Sequence, residues 1–179
     1  STSTLTDGSV NTTVQANTDA GFSIMTFVSD QQNGTTLAHG LGVKPSWFIL
    51  KSLDEDNAFY HYHRGVGSGR YISWGAGSLG NSGSEATTTV WGNTDPTSTV
   101  ITAGTGSMSL DSGHNIVGYT FAEVEGFSKF GKYQGNDATD GTFVYTGFSP
   151  AFVILKYNSG SAGGTKNWYM YDNKRSPNN

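Results

Sequence analysis

The sequence predicts an all-β fold: a β-sandwich repeat unit of jelly-roll or lectin-like type, followed by a partial second repeat. Three observations carry that reading. The 179 residues include 25 glycines, and only 13% are charged while 13% are aromatic, against about 25% charged and about 7% Gly in an average soluble protein. Ser, Thr and Gly fill the polar positions in place of Glu and Lys, which suits short strands joined by tight turns. The chain also repeats itself 105 positions later, from Gly21-Phe22-Ser23 to Gly126-Phe127-Ser128, about the length of a whole sandwich domain.

The repeat extends well past that tripeptide. Gly34 to Leu41 faces Gly141 to Phe148, Pro45 to Lys51 faces Pro150 to Lys156, and Asn57 to Tyr62 faces Lys166 to Tyr171 after a longer Gly-Ser loop. A period this long is too great for a solenoid and marks one structural unit per copy. The predicted organisation is an N-terminal extension over 1–20, a first sandwich repeat over 21–125 and the first half of a second repeat over 126–179. Half a sandwich leaves its core open. Its missing strands are expected from further chain, from packing on the first copy, or from a neighbouring subunit whose edge strand pairs with it.

Within the first copy, strands are predicted near Phe22 to Val28, Trp47 to Lys51, Ala58 to Tyr62, Tyr71 to Trp74, Thr87 to Trp91, Thr99 to Thr102, Ser107 to Leu110 and Asn115 to Glu123. The last is the clearest. Val117, Tyr119 and Phe121 alternate with Gly118, Thr120 and Ala122, so the two sets fall on opposite faces. Breakers separate the strands: Gly40 and Gly42, Gly65 and Gly67, Gly75 and Gly77, Asp95-Pro96, and Asp111-Ser112-Gly113.

Several function classes lose support at once. A net charge of −4 with few basic residues gives no footprint for a nucleic-acid backbone. No stretch approaches the roughly 20 apolar residues of a membrane-spanning helix, and the N-terminal residues have neither the basic nor the apolar part of a signal peptide. The start at Ser1 and the end at Asn179 suggest a piece of a longer protein. With no cysteine, neither disulfides nor thiolate metal sites enter.

The succession GTTLAHGLGVKPSWFILK, FYHYH, NTDPTSTVIT, YTFAEVEGFSKFGKYQGN, DGTFVYTGFSPAFVILK and NWYMYDNKR, covering Gly21 to Arg175, resembles a family of repeated β-rich domains in tail-fibre and virion surface proteins of marine bacteriophages. The resemblance implies a virion protein whose partners are copies of itself, neighbouring virion proteins and a host surface glycan. It carries over no catalytic residue and no cofactor.

His61 and His63, two apart on a strand, share a face, with His39 in a turn one strand-connection away, and imidazoles so placed can ligate Zn or Fe; the plainer reading is two partly buried strand residues. Glu123 and Glu125 share a strand face about 6.5–7 Å apart, within the range glycoside hydrolysis uses, but solvated linker charge is the much plainer reading. Asp54, Glu55, Asp56 and Asn57, like Asp137 and Asp140, offer oxygen ligands for Ca²⁺ at positions where turns favour such residues anyway. Among Phe59, Tyr60, Tyr62, Tyr71, Trp74 and Trp91, core packing is the plainer reading; the candidates for a sugar-stacking surface are Trp74, Tyr71 and Trp91, with Trp74 foremost because it borders a Gly-Ser segment. No nucleophile-elbow, Ser-His-Asp or phosphate-loop pattern is present. The sequence therefore predicts a non-enzymatic fibre segment serving assembly and host attachment, with a lectin-like carbohydrate-binding module as the alternative.

Overall fold

The structure, a computed structural model, describes residues 1–74, 85–86, 88–105, 111–158 and 167–175. The described residues form strands, turns and bends, without helix. The strands are β1 (Ser3–Leu5), β2 (Thr12–Asn17), β3 (Phe22–Val28), β4 (Thr35–Ala38), β5 (Trp47–Ser52), β6 (Phe59–His63), β7 (Arg70–Trp74), β8 (Glu85–Ala86), β9 (Val100–Ala103), β10 (Asn115–Phe121), β11 (Phe152–Lys156) and β12 (Trp168–Asp172).

Eight of them make one antiparallel sheet in the order β1-β2-β3-β10-β5-β6-β7-β8, and β4 pairs with β9 in a second, smaller sheet. Alternation along each strand divides the large sheet into two faces. One carries Val14, Met25, Phe27, Phe48, Leu50, Tyr60, Tyr62, Tyr71 and Ile116, all buried. The β4–β9 pair closes over it, with Leu37 and Ile101 opposite one another and fully buried. This is a β-sandwich. Gly118 is what lets its centre close: a Cβ there would stand 2.7 Å from Met25 Cε and 3.0 Å from Leu50 Cδ2, so the missing side chain is volume that Met25 and Leu50 occupy.

Polar residues that enter this core bring their partners. Ser23 and Thr120 face each other across β3 and β10, their hydroxyls hydrogen-bonded, and Ser23 Oγ donates to the His39 carbonyl at 2.7 Å. Thr12 Oγ1 donates to the Ala38 carbonyl at 2.8 Å. These bonds tie the first strands of the large sheet to the chain leaving β4, which fixes where the small sheet lies.

Three differences from the sequence reading have physical causes. Residues 1–20, set apart as an extension, supply β1 and β2; β2 pairs with β3 from Thr13 to Asn17 and buries Thr12 and Val14. The strand expected from Thr87 to Trp91 is a bend over its described residues 88–91. Its β-branched run is overridden by Gly92 and Asn93, whose φ angles of 55° and 51° lie in the left-handed region and turn the chain so that Val90 and Trp91 drop into the core from a loop. A strand at Thr35–Ala38 was not expected at all, since four residues with two threonines give too short a pattern to read. The strand expected at Ser107 to Leu110 lies outside the described residues.

In the C-terminal segment, β11 and β12 form a hairpin of their own. Its register repeats that of β5 and β6: Phe48 faces Tyr62 and Leu50 faces Tyr60 in one, Val153 faces Tyr171 and Leu155 faces Tyr169 in the other. A cation–π contact recurs with it. Lys51 Nζ stands 6.0 Å from the Phe59 ring centre and Lys156 Nζ stands 5.5 Å from that of Trp168.

Candidate functional site

The second face of the large sheet gathers the residues that the sequence singles out. Pairing of β10, β5, β6 and β7 sets Phe121, Trp47 and His63 in one row, Tyr119, Ile49, His61 and Ile72 in the next, and Val117, Lys51, Phe59 and Trp74 beyond. The rings stack along the rows: Trp47 lies 4.7 Å from Phe121 and 5.8 Å from His61, both near parallel. The C-terminal segment covers part of this face. Phe130 sits 6.1 Å from Trp47, and Trp168 packs 5.0 Å from His61 and 6.0 Å from Trp74 while its Nε1–H donates to the Ser73 carbonyl at 3.3 Å.

His61 and His63 do share this face, as expected, but they are engaged differently. His61 is fully buried; its Nδ1 accepts from Trp47 Nε1–H at 3.2 Å, and its Nε2 has no hydrogen-bond partner. Burial, and then the charges of His63 and Lys156, push its pKa down to about 3, so the ring is neutral. His63 Nδ1 accepts from the Gly65 amide at 3.0 Å, and burial, then Arg64, hold its pKa below the ordinary imidazole value. His39 does not join them. Its carbonyl is bonded to Ser23 on the opposite face of the sheet, and burial, against the opposing pull of Thr97, brings its pKa to about 4.

The three aromatic candidates separate cleanly. Trp74 is 48% exposed, whereas Tyr71 is 5% and Trp91 0% exposed. Trp91 is a core residue: its ring meets Phe48 edge-on at 4.8 Å and its Nε1–H donates to the Arg70 carbonyl at 3.0 Å. Tyr71 packs at 5.4 Å on Tyr60 within the same core. Trp74 instead stands beside the partly exposed Phe59, ring centres 6.0 Å apart and inclined at 40°, with Lys51 over Phe59. This half-open pair is the surface on which a flat apolar ligand could rest.

A family profile described as a domain of unknown function (DUF7483) matches residues 1–179. The chain belongs to that family. No curated protein and no solved structure matches it.

Two acidic groups of this DUF7483 chain remain. Glu123 accepts from the Phe130 amide at 2.9 Å and pairs with Arg64 at 2.9 Å and Lys129 at 3.5 Å. Burial alone would raise its pKa, but the amide and the two cations outweigh that and keep the carboxyl below its usual range, which suits a fixed anion rather than a proton donor. With Glu125, Lys129 and Tyr145 it lines a shallow groove of about 470 Å³. In the 54–57 turn, the Asp54 carboxylate accepts from the Asn115 amide at 2.6 Å and from its side chain at 3.1 Å. Glu55 instead converges with Asp111 and His114, their ligand-type atoms all within 4.8 Å of one another. That grouping joins turns 56 and more residues apart in sequence, so no spacing announces it. Trp168 was equally invisible, although its alignment with Phe59 in the repeat was the available signal.

Proposed function

We propose that this DUF7483 chain is a non-enzymatic bacteriophage virion protein, a segment of a tail fibre or surface fibre that serves assembly and host-surface attachment. One observation carries the reading beyond the sequence resemblance. The β11–β12 hairpin repeats the register of β5–β6 yet pairs with no further strand among the described residues, and Phe152, Tyr169 and Tyr171 on it are exposed. Unpaired strand edges and exposed aromatic side chains are what an assembling module presents. Immunogold electron microscopy of native particles, with an antibody against residues 21–125, tests it. Label at tail or fibre tips is the expected result; particles without label would overturn the reading.

A second reading is favoured by Trp74 and Phe59. Two inclined, partly exposed rings with an ammonium group alongside form a platform on which a pyranose face stacks, and the module then binds host polysaccharide. Glycan-array binding that disappears in Trp74→Ala supports this reading; no binding above background in the parent chain removes it.

A further inference from the structure

Because β3, β10 and β5 lie side by side, three connections of the first unit meet at one end of the large sheet. They are the chain leaving β3 after Val28, the connection from β5 to β6, and the turn 111–114 that enters β10. Backbone hydrogen bonds join them. The Ser29 amide donates to the His114 carbonyl at 2.9 Å, the Gly113 amide to the Ser29 carbonyl at 2.9 Å, and the Leu53 amide to the Asn115 carbonyl at 2.8 Å. Asp54, accepting from the Asn115 amide and side chain, ties the β5–β6 connection to the residue after His114. Gln31 Nε2–H donates to Asp111 Oδ1 at 3.1 Å. The strand order and these bonds therefore set the backbones of Glu55, Asp111 and His114 against one another.

Their side chains bring one imidazole nitrogen and two carboxylate oxygens to within 4.8 Å of one another. His114 Nδ1 is shut away from solvent with no hydrogen-bond partner, so the ring acts outward through Nε2 alone. That atom stands 3.9 Å from Glu55 Oε1, too far for a hydrogen bond. A metal ion bonded to both at about 2.0–2.2 Å spans such a gap with little movement. Among the described residues the Glu55 carboxylate accepts no hydrogen bond, and Asp111 accepts one, at Oδ1. No Lys or Arg among them pairs with Asp54, Glu55 or Asp111 either. Lys51, at the end of β5, directs its ammonium to the Ser52 and Glu55 carbonyls at 2.6 and 2.7 Å and to Asn57 Oδ1 at 3.1 Å. Glu123, by contrast, has Arg64 and Lys129 against it.

We infer that Glu55, Asp111 and His114 hold a divalent metal ion of the zinc type. One imidazole and two carboxylates suit Zn²⁺, which takes three protein ligands and a water. Ca²⁺ and Mg²⁺ select sites built from oxygen alone. The bound ion cross-links the β5–β6 connection to the turn entering β10 and stabilises the folded chain by mass action. This site lies apart from the Trp74 platform and depends on neither reading of the protein's function.

Isothermal titration of the full chain, stripped with EDTA, with zinc chloride tests the site. Saturable binding of one ion per chain is expected, with a dissociation constant of about 10 μM or below. His114→Gln and Asp111→Asn should each weaken it at least about 10-fold, whereas Asp137→Asn, in an exposed turn of the second unit, should leave it unchanged. Far-UV circular dichroism establishes that each variant folds. A second measurement needs no variant: in the parent chain, Zn²⁺ should shift the His114 imidazole resonances and the backbone amides of residues 53–57 and 111–115. No saturable binding, binding indifferent to both ligand substitutions, or shifts centred on another part of the chain overturns the inference. Tighter binding of Ca²⁺ than of Zn²⁺ overturns it too, since the imidazole would then have no part in the site.

Discussion

Replacing Trp91 by alanine measures whether the sandwich is closed where the structure closes it. The indole is fully buried, meets Phe48 edge-on at 4.8 Å and donates to the Arg70 carbonyl at 3.0 Å. Large-to-small replacement of a buried Trp costs about 3–5 kcal/mol. Within that sum the edge-on ring pair accounts for about 0.5–1.5 kcal/mol and the hydrogen bond for about 1 kcal/mol. Trp91→Phe keeps a ring against Phe48 but loses the donor and part of the volume, so a loss of about 1–3 kcal/mol is expected. Trp74→Ala, at a half-exposed position, should cost about 1 kcal/mol or less. Against a total of about 5–15 kcal/mol for an ordinary domain, Trp91→Ala alone moves the urea midpoint far enough to read by circular dichroism. A Trp91→Ala variant within about 1 kcal/mol of the parent would refute the packing argument, as would a Trp74→Ala variant destabilised to the same extent.

Three further outcomes are expected. His39 and His61 are neutral when folded, with pKa values of about 4 and about 3, against about 6.5 unfolded, so unfolding takes up protons below pH 6.5. Stability is then level above pH 6.5 and falls progressively down to pH 4 and below; urea midpoints at pH 7.5, 5.5 and 4.5 should decline, and His61→Gln should lessen the decline, a flat profile in the parent chain being the contrary result. Trp168→Ala should raise the His61 pKa toward 6.5 by opening its surroundings to water, read by NMR titration, and an unmoved pKa would mean that the C-terminal segment does not screen it. Gly104→Ala should unfold the small sheet, because a Cβ there collides with the Thr89 carbonyl oxygen just where the Gly104 amide bonds to Val90 at 2.8 Å; soluble, cooperative folding of that variant with less than about 1 kcal/mol of loss would contradict the close approach.

The parts of the fold that were legible in the sequence are those whose apolar or aromatic pattern is local. β3, β5, β6 and β7 announce themselves as short runs rich in apolar and aromatic residues between breakers, and the two faces of β10 fall as its alternation requires. What stayed hidden depends on partners distant in the chain. Thr35–Ala38 is a strand because Val100–Ala103 lies opposite, and the run ending at Trp91 is not one because a left-handed pair follows it. The candidate site was half legible for the same reason. Spacing put His61 and His63 on one face, and the Gly-Ser neighbour pointed to an exposed Trp74. Whether Tyr71 and Trp91 face water or core depended on which side of the sheet the small sheet covers, and no local pattern encodes that. The convergence of Glu55, Asp111 and His114 likewise exists only through the turns that bring them together.

Comparing the two hairpins position by position shows which face is under which constraint. Toward the core, Phe48, Leu50, Tyr60 and Tyr62 become Val153, Leu155, Tyr169 and Tyr171, so every position stays apolar or aromatic and both tyrosines are retained. Toward the other side, Trp47, Ile49, His61 and His63 become Phe152, Ile154, Met170 and Asp172, so one polar ring is lost and another is replaced by a carboxylate. The first unit uses that side to receive Phe130 and Trp168 from the second, and a buried neutral imidazole between indoles is specific to that junction. On the second unit the corresponding side meets the first through Trp168, and the position of His61 is there Met170, 42% exposed. Its core-type face keeps the composition that in the first unit goes with complete burial. Exposure does not separate the two sides of this hairpin, since Phe152 is 53% and Met170 42% exposed against 49% for Tyr169 and 43% for Tyr171; what separates them is composition.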